Sequence, residues 1–247
     1  MHFLFNYTMV LRLFKVWSFV IFIFLLISCE SEKSNSILVS DSGQTQGTYY
    51  HIKYMIEDGE SLKKKIDSLL IVIDNSLSTY NPNSLISRIN NGEIIATDSM
   101  LRTVFRAANE VYENTNGAFD CSITPLVNAW GFGFSNKEKM DTARVIELLN
   151  LVDFKKIKLS NDTILMNKNM MLDFNSLAQG YTVDLIAHMF DGIGLDNYLI
   201  EVGGEIKSKG KNPDNNFWTI GVDRPTEIIN PKDRFQFILN LFNTSLA

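Results

Sequence analysis

The sequence is poor in cysteine and has no excess of basic residues. Of its 2 cysteines, Cys29 follows an apolar N-terminal run, which leaves Cys121 as the only thiol of the remaining chain. No disulfide is therefore expected within the folded part, whose stability must come from a hydrophobic core. The 23 lysines and arginines are outnumbered by 28 aspartates and glutamates. This balance argues against a nucleic-acid partner.

The sequence also lacks a long apolar run of the membrane-spanning kind. Its longest candidate, residues 16–27, is preceded by Arg12 and Lys15; it is short for a bilayer but suits the core of a signal peptide. The run leads into Leu-Ile-Ser-Cys29, which is similar to a bacterial lipobox, where the cysteine is lipidated. We predict a lipoprotein signal peptide at 1–28 and an exported protein that Cys29 anchors to a membrane, on the periplasmic side or the cell surface. An uncleaved anchor helix and an ordinary signal peptide are the alternatives.

The chain has the size and composition of a globular protein. Its 247 residues are 45% hydrophobic and 21% charged, enough for one large domain or two small ones with a core. The stretch 29–43 is rich in polar residues and predicts a flexible tether from Cys29. We therefore predict a single domain over 44–247.

Hydrophobic periodicity predicts strands where it has a period of two and helices where it has a period near 3.6. The predicted strands are 48–56, 156–159, 163–166, 170–174, 198–202, 205–209, 218–222 and 235–242. The predicted helices are 61–77, capped by Ser61, a helix after Asp98, 139–150, and a helix after Asn175. Runs of strands between unevenly placed helices indicate an α+β fold with largely antiparallel sheets.

The loop 115–125 combines small and polar residues with one aromatic ring and one carboxylate. Such a loop lets the backbone approach a planar ligand, while Phe119 stacks and Asp120 accepts hydrogen bonds. A packed turn in which Asp120 caps the following helix-like segment is an equally good interpretation.

Tyr80 and Asp173 each stand at the end of a predicted element. Tyr80 follows helix 61–77 and precedes an Asn-Pro-Asn turn, which would leave its ring at the rim of the helix end. Taken alone, a buried core tyrosine is the alternative. Asp173 comes just before a helix whose N-terminal N–H groups favour phosphate or carboxylate groups. An ordinary helix N-cap is the alternative there.

Five segments, in this order, make the sequence similar to the ApbE family of flavin transferases. They are 46–48 (QGT), 77–90 (LSTYNPNSLISRIN), 117–133 (GAFDCSITPLVNAWGFG), 172–184 (LDFNSLAQGYTVD) and 201–206 (EVGGEI). The resemblance implies an ApbE-like, T-fold-like α+β domain. It also implies transfer of FMN from FAD to a threonine or serine hydroxyl of an acceptor protein, with release of AMP and the help of Mg²⁺. The family's usual acceptors are subunits of membrane redox complexes.

The resemblance also assigns site residues. The FAD contacts that it implies are Gln46, Tyr80, Ala118, Phe119, Asp120, Asp173 and Gln179. The backbone carbonyl of Ser176 is the implied metal ligand. Gln46 stands where the family usually has methionine, and Gln179 where it often has lysine.

Several family motifs have no counterpart in this sequence. They are an aspartate and a threonine that complete the metal site, a Thr-Ser-Gly-Asp-Tyr stretch and a His-Ile-Ile-Asp-Pro motif. A single carbonyl cannot hold a hard cation, and strand 235–242, apolar on much of both faces, favours further neighbours. We therefore expect that the C-terminal part of the family fold is missing and that this chain alone transfers no flavin. A non-catalytic FAD-binding lipoprotein and a magnesium-dependent FAD pyrophosphatase are the alternative functions.

Overall fold

The computed structural model describes residues 36–133, 137–225 and 234–247. The predicted signal peptide, Cys29 and the first part of the predicted tether, 29–35, lie outside these ranges. Among the described residues, no helix is both long enough and apolar enough to cross a membrane.

The described residues form an α+β fold, as the sequence predicts. The strands, in chain order, are β1 Ile37–Thr45, β2 Thr48–Ile56, β3 Lys158–Ser160, β4 Thr163–Leu165, β5 Tyr198–Val202, β6 Glu205–Lys209, β7 Trp218–Asp223, β8 Phe235–Leu241 and β9 Ser245–Leu246. The helices are α1 Lys63–Leu77, α2 Leu85–Asn90, α3 Ser99–Asn114, α4 Thr124–Ala129, α5 Thr142–Leu149 and α6 Asn175–Gly192, with a 3-10 turn at Phe154–Lys156.

The main sheet has five strands in the order β1-β2-β5-β6-β9, and every neighbouring pair is antiparallel. Two separate hairpins, β3-β4 and β7-β8, are also antiparallel. The prediction of largely antiparallel sheets is therefore confirmed.

Two hydrophobic clusters hold the helices in place. One cluster lies between the main sheet and one side of helices α1 and α6; its largest members include Tyr50, Tyr54, Ile66, Ile186, Phe190 and Tyr198. The other joins α1 and the start of α6 to α2, α3 and the 3-10 turn; it includes Ile73, Leu77, Ile86, Leu101, Phe105, Phe154, Leu172 and Phe174. Helix α1 contributes to both clusters because its apolar residues cover more than one face.

The tether prediction is wrong for the residues that the structure describes. Strand β1 begins at Ile37 and pairs with β2 in continuous register, from Ile37 opposite Ile56 to Thr45 opposite Thr48. The polar composition of this segment suggested a flexible chain. The segment instead forms a strand, and one of its polar side chains has hydrogen-bond partners in the fold. The buried Asp41 accepts hydrogen bonds from the hydroxyls of Tyr54 and Ser61, at 2.7 Å each.

Two further local predictions are corrected. Helix α1 begins at Lys63, and its N-cap position is Leu62, which has no side-chain cap. Ser61 lies one residue before that position; its hydroxyl donates to Asp41 and its oxygen accepts from the N–H of Lys63, at 3.2 Å. Residues 170–174 form no strand, because the main chain of Leu172 pairs with a side chain, that of Asn90.

Candidate functional site

A cavity of about 300 Å³ opens where the β1–β2 turn, the C-terminal end of α1 and the first turns of α6 meet. Its lining residues are Gln46, Ile73, Asp74, Leu77, Ser78, Tyr80, Asn175, Ala178 and Gln179. The volume lies at the lower end of the range of ligand-binding cavities, roughly 300–1,000 Å³. Three predicted FAD contacts from distant segments, Gln46, Tyr80 and Gln179, thus border one space.

A tight turn presents Tyr80 at this cavity. The Ser78 hydroxyl accepts hydrogen bonds from the main-chain N–H groups of Tyr80, at 3.3 Å, and Asn81, at 3.2 Å. The Ser78 carbonyl in turn accepts from the Ser84 hydroxyl, at 2.6 Å. The Tyr80 side chain is left 72% exposed. This confirms the predicted rim position and excludes the core-tyrosine alternative.

Gln46 forms part of the opposite wall from the β1–β2 turn. Its Nε2 donates to the Thr182 hydroxyl oxygen on α6, at 2.6 Å, and that hydroxyl donates to the Ala178 carbonyl, at 2.7 Å. Gln46 Oε1 is buried and accepts no hydrogen bond from the described residues. The turn and the helix are thereby tied together beside the cavity.

Asp173 organises the start of α6 without lining the cavity itself. Its carboxylate accepts from the main-chain N–H of Asn175, at 2.7 Å, and from Asn175 Nδ2, at 3.1 Å. Asn175 Nδ2 also reaches the Thr79 hydroxyl oxygen, at 3.4 Å, which links α6 to the segment bearing Tyr80. Burial raises the pKa of Asp173, against the lowering effect of the hydrogen bond from Asn175. The Asp173 carboxylate therefore caps the start of α6, as in the N-cap interpretation, although the N-cap position itself is the next residue, Phe174.

The loop predicted to bind FAD through Ala118, Phe119 and Asp120 is not part of this cavity lining. Asp120 Oδ1 accepts from the N–H and the hydroxyl of Ser122, at 2.7 Å each, and its Oδ2 accepts from the N–H of Phe154, at 3.2 Å. Ala118 is exposed, while Phe119 is half-buried against the core cluster. These contacts favour the packed-turn interpretation of Asp120, with its carboxylate fastening the loop to the 3-10 turn.

This loop nevertheless contacts the segment that leads into α6. The N–H of Asp173 donates to the carbonyl of Cys121, at 2.9 Å. The Cys121 thiol is buried, and burial together with the charges of Asp173 and Asp120 raises its pKa to about 12. The loop therefore borders the candidate site indirectly, through Asp173.

The described residues do not make up a magnesium site. No group of three or more His, Cys, Asp or Glu side chains within 36–133, 137–225 and 234–247 is arranged to hold a metal ion. Ser176 is exposed in the first turn of α6, and one carbonyl meets only a fraction of the six oxygen ligands that Mg²⁺ requires. Ser176 would therefore supply one ligand at most, and the described His, Cys, Asp and Glu side chains do not complete a site for the ion.

Sequence reasoning missed three polar residues of the cavity, Asp74, Ser78 and Asn175. Asp74 follows the buried Ile73 on α1 and accepts a hydrogen bond from Asn81 Nδ2, at 3.2 Å. The sequence gives one indication that Asp74 belongs to a site: it is a carboxylate next to the apolar face of helix α1. Asn175 lies within segment 172–184, between Asp173 and Ser176.

A second cavity of about 420 Å³ adjoins the first. The two share Gln46 and Asp74 in their linings. Lys63 and Asp67 also line the second cavity and form an ion pair of 3.0 Å. The Tyr50 hydroxyl joins this pair, donating to Asp67 at 2.5 Å and accepting from Lys63 at 2.6 Å. Gln46 thus stands in the wall between two spaces.

Comparison with known proteins adds to this geometry. The model of the ApbE family matches residues 46–247. An FAD:protein FMN transferase of Vibrio cholerae is 34% identical over 85% of this chain and 67% of that protein. One of Haemophilus influenzae is 31% identical over 86% of this chain and 66% of that protein. The solved structure of the flavin transferase ApbE from Vibrio cholerae superposes with a TM-score of 0.77 and 30% identity, covering 86% of this chain and 71% of that one. The chain thus spans about two thirds of the length of these curated relatives.

Proposed function

Because this chain belongs to the ApbE family, we propose that it is the FAD-binding part of an FAD:protein FMN transferase. The observation that carries the proposal is the 300 Å³ cavity. It gathers Gln46, Tyr80 and Gln179, three positions at which the family resemblance implies contact with FAD. The exposed ring of Tyr80 offers a face on which a planar ligand stacks.

The proposed reaction transfers the FMN half of FAD to another protein. A threonine or serine hydroxyl oxygen of the acceptor forms a bond to the FMN-side phosphorus, and the phosphorus–oxygen bond of the pyrophosphate breaks. AMP leaves with that oxygen, and the hydroxyl proton passes to solvent. The positive dipole end of α6, beside Asn175, favours the negative charge of the pyrophosphate.

We propose that the pyrophosphate also needs a divalent ion, normally Mg²⁺, whose charge would offset the negative charge of the transferring group. The described residues supply no complete site for it. This chain by itself is therefore proposed to bind FAD and to transfer no FMN.

The location of the protein is part of the proposal. Cys29 carries a lipid anchor, and the protein acts on the periplasmic side or the cell surface. Its acceptor is proposed to be a subunit of a membrane redox complex. The N-terminal Leu-Ile-Ser-Cys sequence supports the anchor.

The binding step is tested with the purified 247-residue chain. We expect FAD to bind, with quenched flavin fluorescence, and chromatography to show no AMP during incubation with Mg²⁺. Release of AMP and FMN without an acceptor would identify an FAD pyrophosphatase. Failure to bind FAD would reject the proposal.

The whole function is tested in cells. Deleting the gene is expected to remove the fluorescent covalent-flavin bands from the membrane fraction in denaturing gels. Restoring the complete gene should bring those bands back, and restoring a Tyr80→Ala version should bring back less. Bands that survive the deletion would contradict the proposed transferase activity.

A further inference from the structure

Strand β1 forms one edge of the main sheet. Among the described residues, β2 is the only strand beside it, so the other side of β1 has no strand paired with it. The last residue of β1, Thr45, is followed by Gln46, which lines the 300 Å³ cavity. The open edge therefore runs up to the candidate site.

The hydrogen bonds of β2 show which main-chain groups of β1 face outward. Along an antiparallel pair, residues alternate between those that bond to the partner strand and those that do not. The Tyr49 carbonyl accepts from the N–H of Gly203, and the N–H of Met55 donates to the Asn197 carbonyl. Both β2 residues thus direct these groups toward β5 and away from β1.

The residues of β1 opposite these two are Gln44 and Leu38. Because the register between them is continuous, every second residue of β1 directs its N–H and carbonyl away from β2. The outward row is Leu38, Ser40, Ser42 and Gln44. In the part of the chain that the structure describes, these four N–H groups and four carbonyls have no hydrogen-bond partner.

This edge lacks the features that usually prevent a strand from pairing with another chain. Natural sheets protect their edges with lysine, proline, a β-bulge or a very short strand. Strand β1 has nine residues, with neither lysine nor proline among them, and it pairs with β2 without a bulge. Such an edge is suited to an extended protein segment that adds a strand through main-chain hydrogen bonds.

The second cavity gives such a segment room beside the edge. It is lined by Gln44 and Thr45 at the end of β1 and by Ile71 on α1. Ile71 is 62% exposed, and covering it removes apolar surface from water, which favours binding. The two cavities share Gln46 and Asp74, so a segment that follows the edge ends beside the proposed FAD site.

We infer that the acceptor protein docks by adding a strand to the free edge of β1. The inference rests on the proposed function, because the acceptor is the protein whose serine or threonine hydroxyl must reach the transferred phosphorus. A segment paired along the outward row carries the residue at its end to the β1–β2 turn. The edge leads to the cavity, which favours the acceptor over a second copy of this chain. The partner is thus an extended stretch of polypeptide next to the reactive hydroxyl.

A proline on the outward row tests this docking mode. Ser42→Pro removes an outward N–H and places its ring where the added strand would lie, but it breaks no bond to β2. In cells that lack the gene, the complete gene with Ser42→Pro should restore the covalent-flavin bands to about a tenth of the intensity given by the unaltered gene. The loss of one hydrogen bond weakens binding by about that factor. The matched control is Ser99→Pro, which should restore the bands fully, because the first position of helix α3 tolerates proline.

FAD binding by the purified 247-residue chain shows whether the proline acts on docking. Ser42→Pro should bind FAD as tightly as the unaltered chain does. If it does not, Ser40→Pro, on the same outward row, is compared with Ser99→Pro instead. Loss of FAD binding in both variants would overturn the inference, because the outward N–H groups would then be needed by the fold.

Amide hydrogen exchange tests the open edge without any variant. In the purified chain, the outward N–H groups of Ser40, Ser42 and Gln44 should exchange quickly, and the inward ones of Asp41 and Gly43 slowly. Slow exchange of the outward groups would overturn the inference. If that protection rises with protein concentration, the edge pairs with a second copy of this chain.

The outcomes separate this inference from the function on which it rests. If the bands survive deletion of the gene, the proposed function falls and the inference falls with it. If the unaltered gene restores the bands and Ser42→Pro restores them as fully as Ser99→Pro does, only the inference falls.

Discussion

The side-chain amide of Asn90 hydrogen-bonds both main-chain polar groups of Leu172. Nδ2 lies 2.8 Å from the Leu172 carbonyl oxygen, and Oδ1 lies 2.8 Å from its nitrogen. These are the two bonds that a neighbouring strand would make. On the next residue, the N–H of Asp173 donates to the Cys121 carbonyl. The chain is thus held in place just before α6 and the candidate site.

Replacing Asn90 should therefore destabilise the fold. Leu172 is fully buried, so Asn90→Ala leaves its N–H and carbonyl without partners, at a cost of about 2 to 4 kcal/mol. Urea unfolding measures this loss. The exposed neighbour Asn91, changed to alanine, should alter the free energy of unfolding by no more than about 0.5 kcal/mol. Equal effects of the two substitutions would contradict the role assigned to Asn90.

Asp120→Ala distinguishes a structural carboxylate from an FAD contact. We expect a loss of about 2 to 4 kcal/mol in the free energy of unfolding, because the N–H groups of Ser122 and Phe154 lose their acceptor. FAD affinity, measured where the variant is folded, should change little. The exposed Glu113, changed to alanine, serves as the control. A large loss of FAD affinity with unchanged stability would instead support the direct contact between Asp120 and FAD that the family resemblance implies.

Asp173 should make stability depend on pH. Burial raises its pKa above the ordinary value of 3.8, so the native state holds this proton more tightly than the unfolded state. Its ionisation therefore costs stability as pH rises through the interval between 3.8 and the raised pKa. Asp173→Asn should gain stability relative to the unaltered chain across that interval. Asp214→Asn, at an exposed position, should show no such trend in urea unfolding at a series of pH values.

Tyr80 should contribute to FAD binding and little to folding. The residue is 72% exposed, so Tyr80→Ala should leave the unfolding midpoint almost unchanged. Loss of a stacking partner should weaken FAD by about 3- to 10-fold, and Tyr80→Phe should retain most of the affinity. Tyr49→Ala, which removes another exposed ring outside the cavity, is the matched control in fluorescence titrations. An equal loss for both alanine variants would argue against a site at Tyr80.

Cys121 should be unreactive in the native protein. It is 4% exposed, and with its pKa raised to about 12, its thiolate fraction at pH 8 falls by roughly a thousandfold. In a Cys29→Ser background, iodoacetamide should label Cys121 only after unfolding in urea. Adding Ser42→Cys on the exposed face of β1 should give rapid native labelling. Rapid labelling of Cys121 itself would show that the loop opens readily.

Local patterns predicted the elements whose partners are their own neighbours in the chain. Helix α3, with Asp98 as its cap, and the β3–β4 and β5–β6 hairpins follow from periodicity and turn residues. Strand β1 escaped this reasoning because an edge strand is rich in polar residues. Residues 170–174 have the apolar composition of a strand, but the side chain of Asn90 makes the hydrogen bonds that a neighbouring strand would make.

In the candidate site, too, only the features that depend on neighbouring residues in the sequence were predicted correctly. Tyr80 was placed correctly because helix end and turn are both local. Asp120 Oδ1 has local partners on Ser122, but Oδ2 accepts from the N–H of Phe154, 34 residues away, and no pattern around Asp120 indicates that second contact.

By itself, the sequence determined the fold class, the resemblance to the ApbE family and the set of residues that belong to its motifs. These properties depend on side-chain chemistry and short-range order, which are present in any stretch of chain. Only the tertiary structure decided that Gln46, Tyr80 and Gln179 share one cavity while Asp120 lies outside its lining. Only the tertiary structure decided that Gln46 Nε2 pairs with Thr182 while Gln46 Oε1 has no hydrogen-bond partner among the described residues. A buried hydrogen bond depends on which distant atoms the packing of β1, β2 and α6 brings within reach.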